Sequence, residues 1–142
     1  MGKTSAACLA FEWVPITHVL VAYHANGNVE DEVWDGYVAA IVEHLGPKLR
    51  CLVWNEGGRP TSDQQRRLVV ATHNAKVPVA VVSSSIAVRF IVSALALANR
   101  HVRYFPADQI HNALVYLCED PNHRAAIGSA LERVRERATL RS

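Results

Sequence analysis

Hydrophobic and polar positions fall into short alternating and helical patterns along most of the chain. Leu9, Phe11 and Trp13 alternate with Ala10 and Glu12, and after Pro15 the run THVLVAYH places Val19, Val21 and Tyr23 on one side. Period-two patterning of this kind predicts two adjacent strands. In NGNVEDEVWDGYVAAIVEHLGP, Trp34, Tyr37, Val38, Ile41, Val42 and Leu45 recur at helical spacing. Asn28 is the expected N-cap, and Glu30, Asp31 and Glu32 place carboxylates at the positive end of the helix dipole. Gly46 and Pro47 end the segment.

The remainder repeats a beat of apolar runs and helices. LRCLVW (49–54) and VPVAVV (77–82) are continuous apolar runs of strand length, the pattern of strands covered on both faces. Between them Thr61–Lys76 reads as a helix, with Leu68, Val69 and Ala75 as its apolar positions and Gln64, Gln65, Arg66 and Arg67 as its solvated ones. After SSS (83–85) comes an almost wholly apolar helix from Ile86 to about Asn99. A strand VRYF then precedes a helix opened by Asp108 and carrying Ile110, Leu114, Val115 and Leu117. Asp120 and Pro121 form a cap and first-turn pair for a last helix, whose stripe is Ile127, Ala130, Leu131, Val134 and Ala138. Strands alternating with helices predict an α/β fold with right-handed crossovers.

Composition narrows the function classes. A chain of 142 residues, half of them hydrophobic, has the length of one domain. Its net charge of +2, from 15 basic and 13 acidic residues, gives no reason to expect a nucleic-acid partner. Cys8, Cys51 and Cys118 lack any CxxC spacing and read as buried free thiols in a reducing compartment. The start of the chain lacks a signal-peptide pattern, and Ala6 stands where a myristoylated Gly2 would need Ser or Thr. The longest apolar stretch, Ile86–Ala98, carries Arg89 and is too short to span a bilayer. A cytoplasmic protein without membrane contact is the expectation.

Candidate chemistry concentrates in two loops that both follow strands and open helices. The first, VWNEGGRPTSDQQRRL (53–68), contains Glu56, Gly57, Gly58, Arg59, Thr61 and Ser62. Its glycines suit a strand-to-helix turn. Thr61 with Gln64, or Ser62 with Gln65, fits a capping box, while the glycines, the helix start and Arg59 together could also cradle a phosphate. The second loop, Ser83, Ser84 and Ser85, lies at the same carboxyl edge of the sheet, where open α/β folds place ligands. If the two converge, 56–62 and 83–85 form one surface. No GxSxG, HExxH or Cys/His metal spacing occurs. No catalytic residue, metal or cofactor is therefore assigned.

Element order, chain length and the position of GGRPTSDQQ together resemble the STAS domain, named for sulphate transporters and anti-sigma-factor antagonists, in its small stand-alone bacterial form. The resemblance covers residues 7–118. It implies a mostly parallel sheet with helices packed against it, a STAS-like domain at 1–119 in the order β-β-α-β-α-β-α-β-α; the extra C-terminal helix lies beyond the family-like region, as a helical extension at 120–142. It further implies a signalling role in which a partner protein, an anti-sigma factor or kinase-like regulator, docks at 56–65 around a phosphorylatable hydroxyl. Thr61 and Ser62 occupy that place. Here Pro60 precedes them and Asp63 follows, and a carboxylate beside Ser62 opposes an added phosphate.

Two other functional classes leave distinct signatures. A small-ligand or lipid sensor on the same scaffold calls for an apolar pocket under the helix Ile86–Ala98. An enzyme calls for a His or a carboxylate within hydrogen-bond reach of Ser62 or Ser84. The last helix interleaves Arg124, Arg133, Arg135, Arg137 and Arg141 with Glu132 and Glu136, a solvated and partly ion-paired face. Its apolar stripe must be buried on its own sheet or, in a homodimer, on a second copy.

Overall fold

A computed structural model describes residues 8–140; Gly2, Ala6 and Arg141 lie outside the described residues. The elements are β1 (Leu9–Val14), β2 (Val19–His24), α1 (Asp31–Glu43), β3 (Arg50–Asn55), α2 (Ser62–Ala71), β4 (Val79–Ser83), α3 (Ile86–Ala98), β5 (Val102–Pro106), α4 (Ile110–Leu117) and α5 (Pro121–Leu140). They form the expected α/β architecture, a five-stranded sheet in the order β1-β2-β3-β4-β5. β1 and β2 are antiparallel, and every later pair is parallel.

Strand alternation divides the interior into two cores. Leu9, Leu20, Ala22 and Cys51 face α1, which contributes Trp34, Tyr37, Val38 and Ile41. Val19, Val21, Tyr23, Leu52, Trp54, Ala80 and Val82 face the opposite way, onto α4 and α5. The α5 stripe predicted from sequence (Ile127, Ala130, Leu131, Val134 and Ala138) is at most 2% exposed. It packs on β1 and β2 of its own sheet, so a dimer through this helix would have to use the polar outer face. Asp120 starts the helix by accepting the Asn122 N–H at 2.8 Å.

Several boundaries differ from the pattern for local reasons. α1 begins after Glu30, in extended backbone, and not after Asn28; no side chain caps it. α2 stops at Ala71 rather than Lys76, because His73 and Asn74 both adopt left-handed backbone at φ 54°. Asp108 lies within a short 3-10 turn, Ala107–Gln109, and α4 starts behind it at Ile110. Among the thiols only Cys51 is fully buried, and burial pushes its pKa up to about 12; Cys8 and Cys118 are half-buried.

Candidate functional site

The carboxyl ends of the parallel strands bring the two predicted loops together. Glu56 is the junction. Its carboxylate accepts the indole N–H of Trp54 at 2.7 Å and the hydroxyl of Ser84 at 3.0 Å, tying the β3–α2 loop to the β4–α3 loop. The Glu56 N–H donates in turn to the His24 carbonyl at the end of β2 (2.9 Å). Three consecutive strands therefore fix one carboxylate.

The two glycines answer different demands. Gly57, at φ +121°, takes a conformation that side-chain-bearing residues avoid. Asn55 brackets it, accepting the Gly57 N–H at 2.7 Å and donating to the Gly58 carbonyl at 2.9 Å. Gly58 is needed for space: a Cβ there would overlap the Ala25 carbonyl oxygen and the His24 ring. His24 is 3% exposed, and its Nε2 has no hydrogen-bond partner among the described residues. Burial lowers its pKa from 6.5 to about 4.

At the start of α2 the capping box is complete. The Thr61 hydroxyl accepts the Gln64 N–H at 3.0 Å, and the Thr61 N–H donates to Gln64 Oε1 at 2.9 Å. Two of the donors that a phosphate would use at this helix start are thereby taken, which favours the cap over the anion cradle. Ser62 next to it is exposed. Of the three serines in the other loop, Ser83 is buried and its hydroxyl accepts the Ser85 N–H at 3.0 Å, while Ser85 caps α3 through the Val88 N–H at 3.3 Å. Ser84 alone reaches across to the first loop.

Gln64 and Arg67, read as solvated from the sequence, hold α2 to α1. Gln64 is 2% exposed, and its side-chain amide donates to the Val29 carbonyl (2.8 Å) and to Asp31 (3.0 Å), while its main-chain carbonyl accepts the Trp34 indole N–H at 2.8 Å. Arg67 bridges Asp31, Asp35 and Asp63 at 2.7, 2.8 and 3.1 Å. Meanwhile Val69, expected to be buried, is half-exposed. The face of α2 turned to the protein thus combines the apolar Leu68 and Ala71, which pack on the core, with polar Gln64 and Arg67, which meet the acidic start of α1. Gln64→Ala should destabilise the protein by about 2 kcal/mol, since it leaves the Thr61 N–H and the Val29 carbonyl without their partners. Urea denaturation beside Gln65→Ala, whose cost should stay below about 0.5 kcal/mol as for ordinary surface changes, measures the difference.

Sequence reasoning missed the aromatic backing of the site. The Arg135 guanidinium, assigned to a solvated face, lies 4.7 Å from the centre of the Trp54 ring. Beside it Tyr23 has its pKa raised by burial and by the Glu56 charge. Both aromatic residues stand one position before the ends of their strands on the α5 side, and the helical spacing of Leu131, Val134 and Ala138 places Arg135 beside that stripe. The missing knowledge was that α5 docks on this sheet.

Ser84 and Glu56 satisfy the geometric condition stated for an enzyme. A carboxylate alone, however, lacks the imidazole relay that makes a serine hydroxyl nucleophilic, and the nearby His24 is packed against Gly58. No group of three or more His, Cys, Asp or Glu among the described residues is arranged to hold a metal ion. Alongside α3 there is an open groove of about 530 Å3 against β5, where the ligand-sensor alternative calls for an apolar pocket under that helix. Comparison of the chain with protein-family models, curated proteins and solved structures gives no match.

Proposed function

We propose that this chain is a non-catalytic regulatory interaction module of the STAS type, which binds a partner protein across the carboxyl edge of its sheet. The observation that carries this reading is the Glu56–Ser84 hydrogen bond, which makes one surface of two loops distant in sequence. Around this junction Arg59, Thr61, Ser62 and Ser84 are exposed, while the groups beneath them are held by their own hydrogen bonds. A rigid edge with a fringe of exposed polar side chains, Thr61 and Ser84 already held by hydrogen bonds, is suited to recognition, because little ordering entropy is lost on docking.

The same geometry ranks the two hydroxyls for modification. Thr61 serves the cap, whereas Ser62 is free. Asp63 is bonded to Arg66 and Arg67, and its pKa is lowered chiefly by the Arg66 hydrogen bond. Those guanidiniums offset its repulsion of a phosphate on Ser62.

The test is affinity capture from native cells with the wild-type chain and with the double variant Arg59→Glu, Ser62→Arg, both changes at exposed positions. A stoichiometric partner recovered by the wild type and reduced at least tenfold by the folded variant is the expected result. Equal recovery by both would remove the loops as the docking surface. Mass spectrometry of the captured chain should place any phosphate on Ser62 and not on Thr61.

A further inference from the structure

We propose that α3 is a membrane-surface element, which lays its outer ridge into the interface of an anionic phospholipid bilayer while the loop edge stays free. Only Val88 and Val92 of this 13-residue helix are buried. Ile86, Phe90 and Leu97 are 71, 70 and 90% exposed. At 100° per residue these three lie within ~40° of one another around the axis, opposite the buried pair. The helix thus presents its large apolar side chains outward, the reverse of what a solvated helix does.

Charge indicates what covers the ridge. Residues 57–107 carry seven of the chain's 15 Lys and Arg but one of its 13 Asp and Glu, Asp63, and that one is bonded to Arg66 and Arg67. Arg67 pairs with Asp31 and Asp35 as well, which leaves Arg59, Lys76, Arg89, Arg100 and Arg103 as the cations of this stretch without an ion-pair partner among the described residues. Among the described residues no carboxylate pairs with Arg89, Arg100 or Arg103. Arg89 and Ser93 line the groove between α3 and β5, with Ala96, Arg103 and Tyr104; no carboxylate lines it. The Arg103 guanidinium is stacked on Phe105 and Tyr116, which leaves Arg89 as the cation free to meet a headgroup phosphate.

An outward apolar ridge flanked by unpaired cations is the arrangement of a helix lying in a membrane interface. It needs no preformed hole in its partner, as a protein surface would. A second copy would offer Arg89 and Arg100 an α3 face that carries no carboxylate, whereas an anionic bilayer supplies phosphates for them. No described helix is long and apolar enough to cross a bilayer, so the contact would be with its surface alone.

Co-sedimentation of the full chain with vesicles tests this. The wild type should bind vesicles of equal phosphatidylglycerol and phosphatidylcholine and not pure phosphatidylcholine, and should release as salt rises from about 0.1 to 0.5 M, over which the screening length shortens about twofold. Phe90→Ser with Leu97→Ser should lower the partition coefficient roughly 100-fold, at about tenfold for each large apolar side chain kept out of the acyl region. Circular dichroism should show that variant folded, and Ser62→Ala, which leaves every charge in place, should bind as wild type, keeping this surface separate from the proposed partner edge. Absence of wild-type binding to the anionic vesicles, or equal binding by the ridge variant, would overturn the proposal. So would a wild-type dimer that the ridge variant dissociates, which would assign the ridge to a second copy.

Discussion

Gly58→Ala should cost the protein about 3 kcal/mol, a size expected where an added atom overlaps fixed neighbours. The new Cβ would overlap the Ala25 carbonyl oxygen and the His24 ring, neither of which is the loose end of a flexible side chain. The Ala25 N–H donates to the Cys8 carbonyl and the His24 carbonyl accepts the Glu56 N–H, so the end of β2 is held from both sides. Relief requires the β3–α2 loop to lift, which would draw Glu56 away from Trp54 and Ser84. The melting temperature should fall by about 10 °C, given the few degrees per kcal/mol usual at this chain length. Gly46→Ala is the matched control: nothing lies within 4 Å of its added Cβ, and its stability should change by less than about 0.5 kcal/mol. Equal stability of the two variants would mean that the loop does not rest on β2.

The second large effect is loss of stability in mild acid through His24. Burial lowers its folded pKa from 6.5 to about 4. Above pH 6.5 the ring is neutral in both states and the folded protein has its full stability. As pH falls from 6.5 towards 4, the unfolded chain takes up a proton that the folded chain excludes, so stability declines across that window. The total loss is about 3 kcal/mol at 1.36 kcal/mol per pKa unit. Glu12, whose pKa is lowered from 4.5 mainly by its hydrogen bond to Arg133, contributes in the same sense but only at lower pH. The range from pH 6.5 to 5 lies above that contribution, and comparison with a His24 variant reads the His24 share. Urea denaturation over that range should give a clear slope for the wild type and a flatter one for His24→Leu. The same slope in both proteins would remove His24 as the cause.

The two large effects share one origin, the packing of Gly58 against His24, and that packing was not legible in the sequence. Neighbouring glycines signal a turn, but Gly57 needs its backbone angle and Gly58 its lack of a side chain, and only the position of β2 tells them apart. The element order was legible because each strand and helix carries its own periodicity. The burial of α5 was legible too, since Ile127 to Ala138 form one stripe. Gln64 and Arg67 misled because polarity usually means solvent, whereas here the acidic start of α1 makes a polar face the correct one to bury. In α3 composition alone is no guide: the helix is almost wholly apolar, yet only Val88 and Val92 are covered. Hydrophobicity specifies that a surface seeks cover without specifying whether the chain itself supplies it. For the candidate site, both loops and a capping box were readable from hydroxyl and amide spacing, but the choice of Thr61–Gln64 over Ser62–Gln65 and the role of Glu56 depended on the fold.

The central claim, that a partner protein docks on the carboxyl edge of the sheet, is tested most directly by site-specific photo-crosslinking in native cells. A photoreactive side chain replaces Ser62 in one protein and Lys48, exposed before the amino end of β3, in another. The account predicts a discrete protein adduct from position 62 and none from position 48. The same adduct from both positions, or an adduct only from position 48, would contradict it.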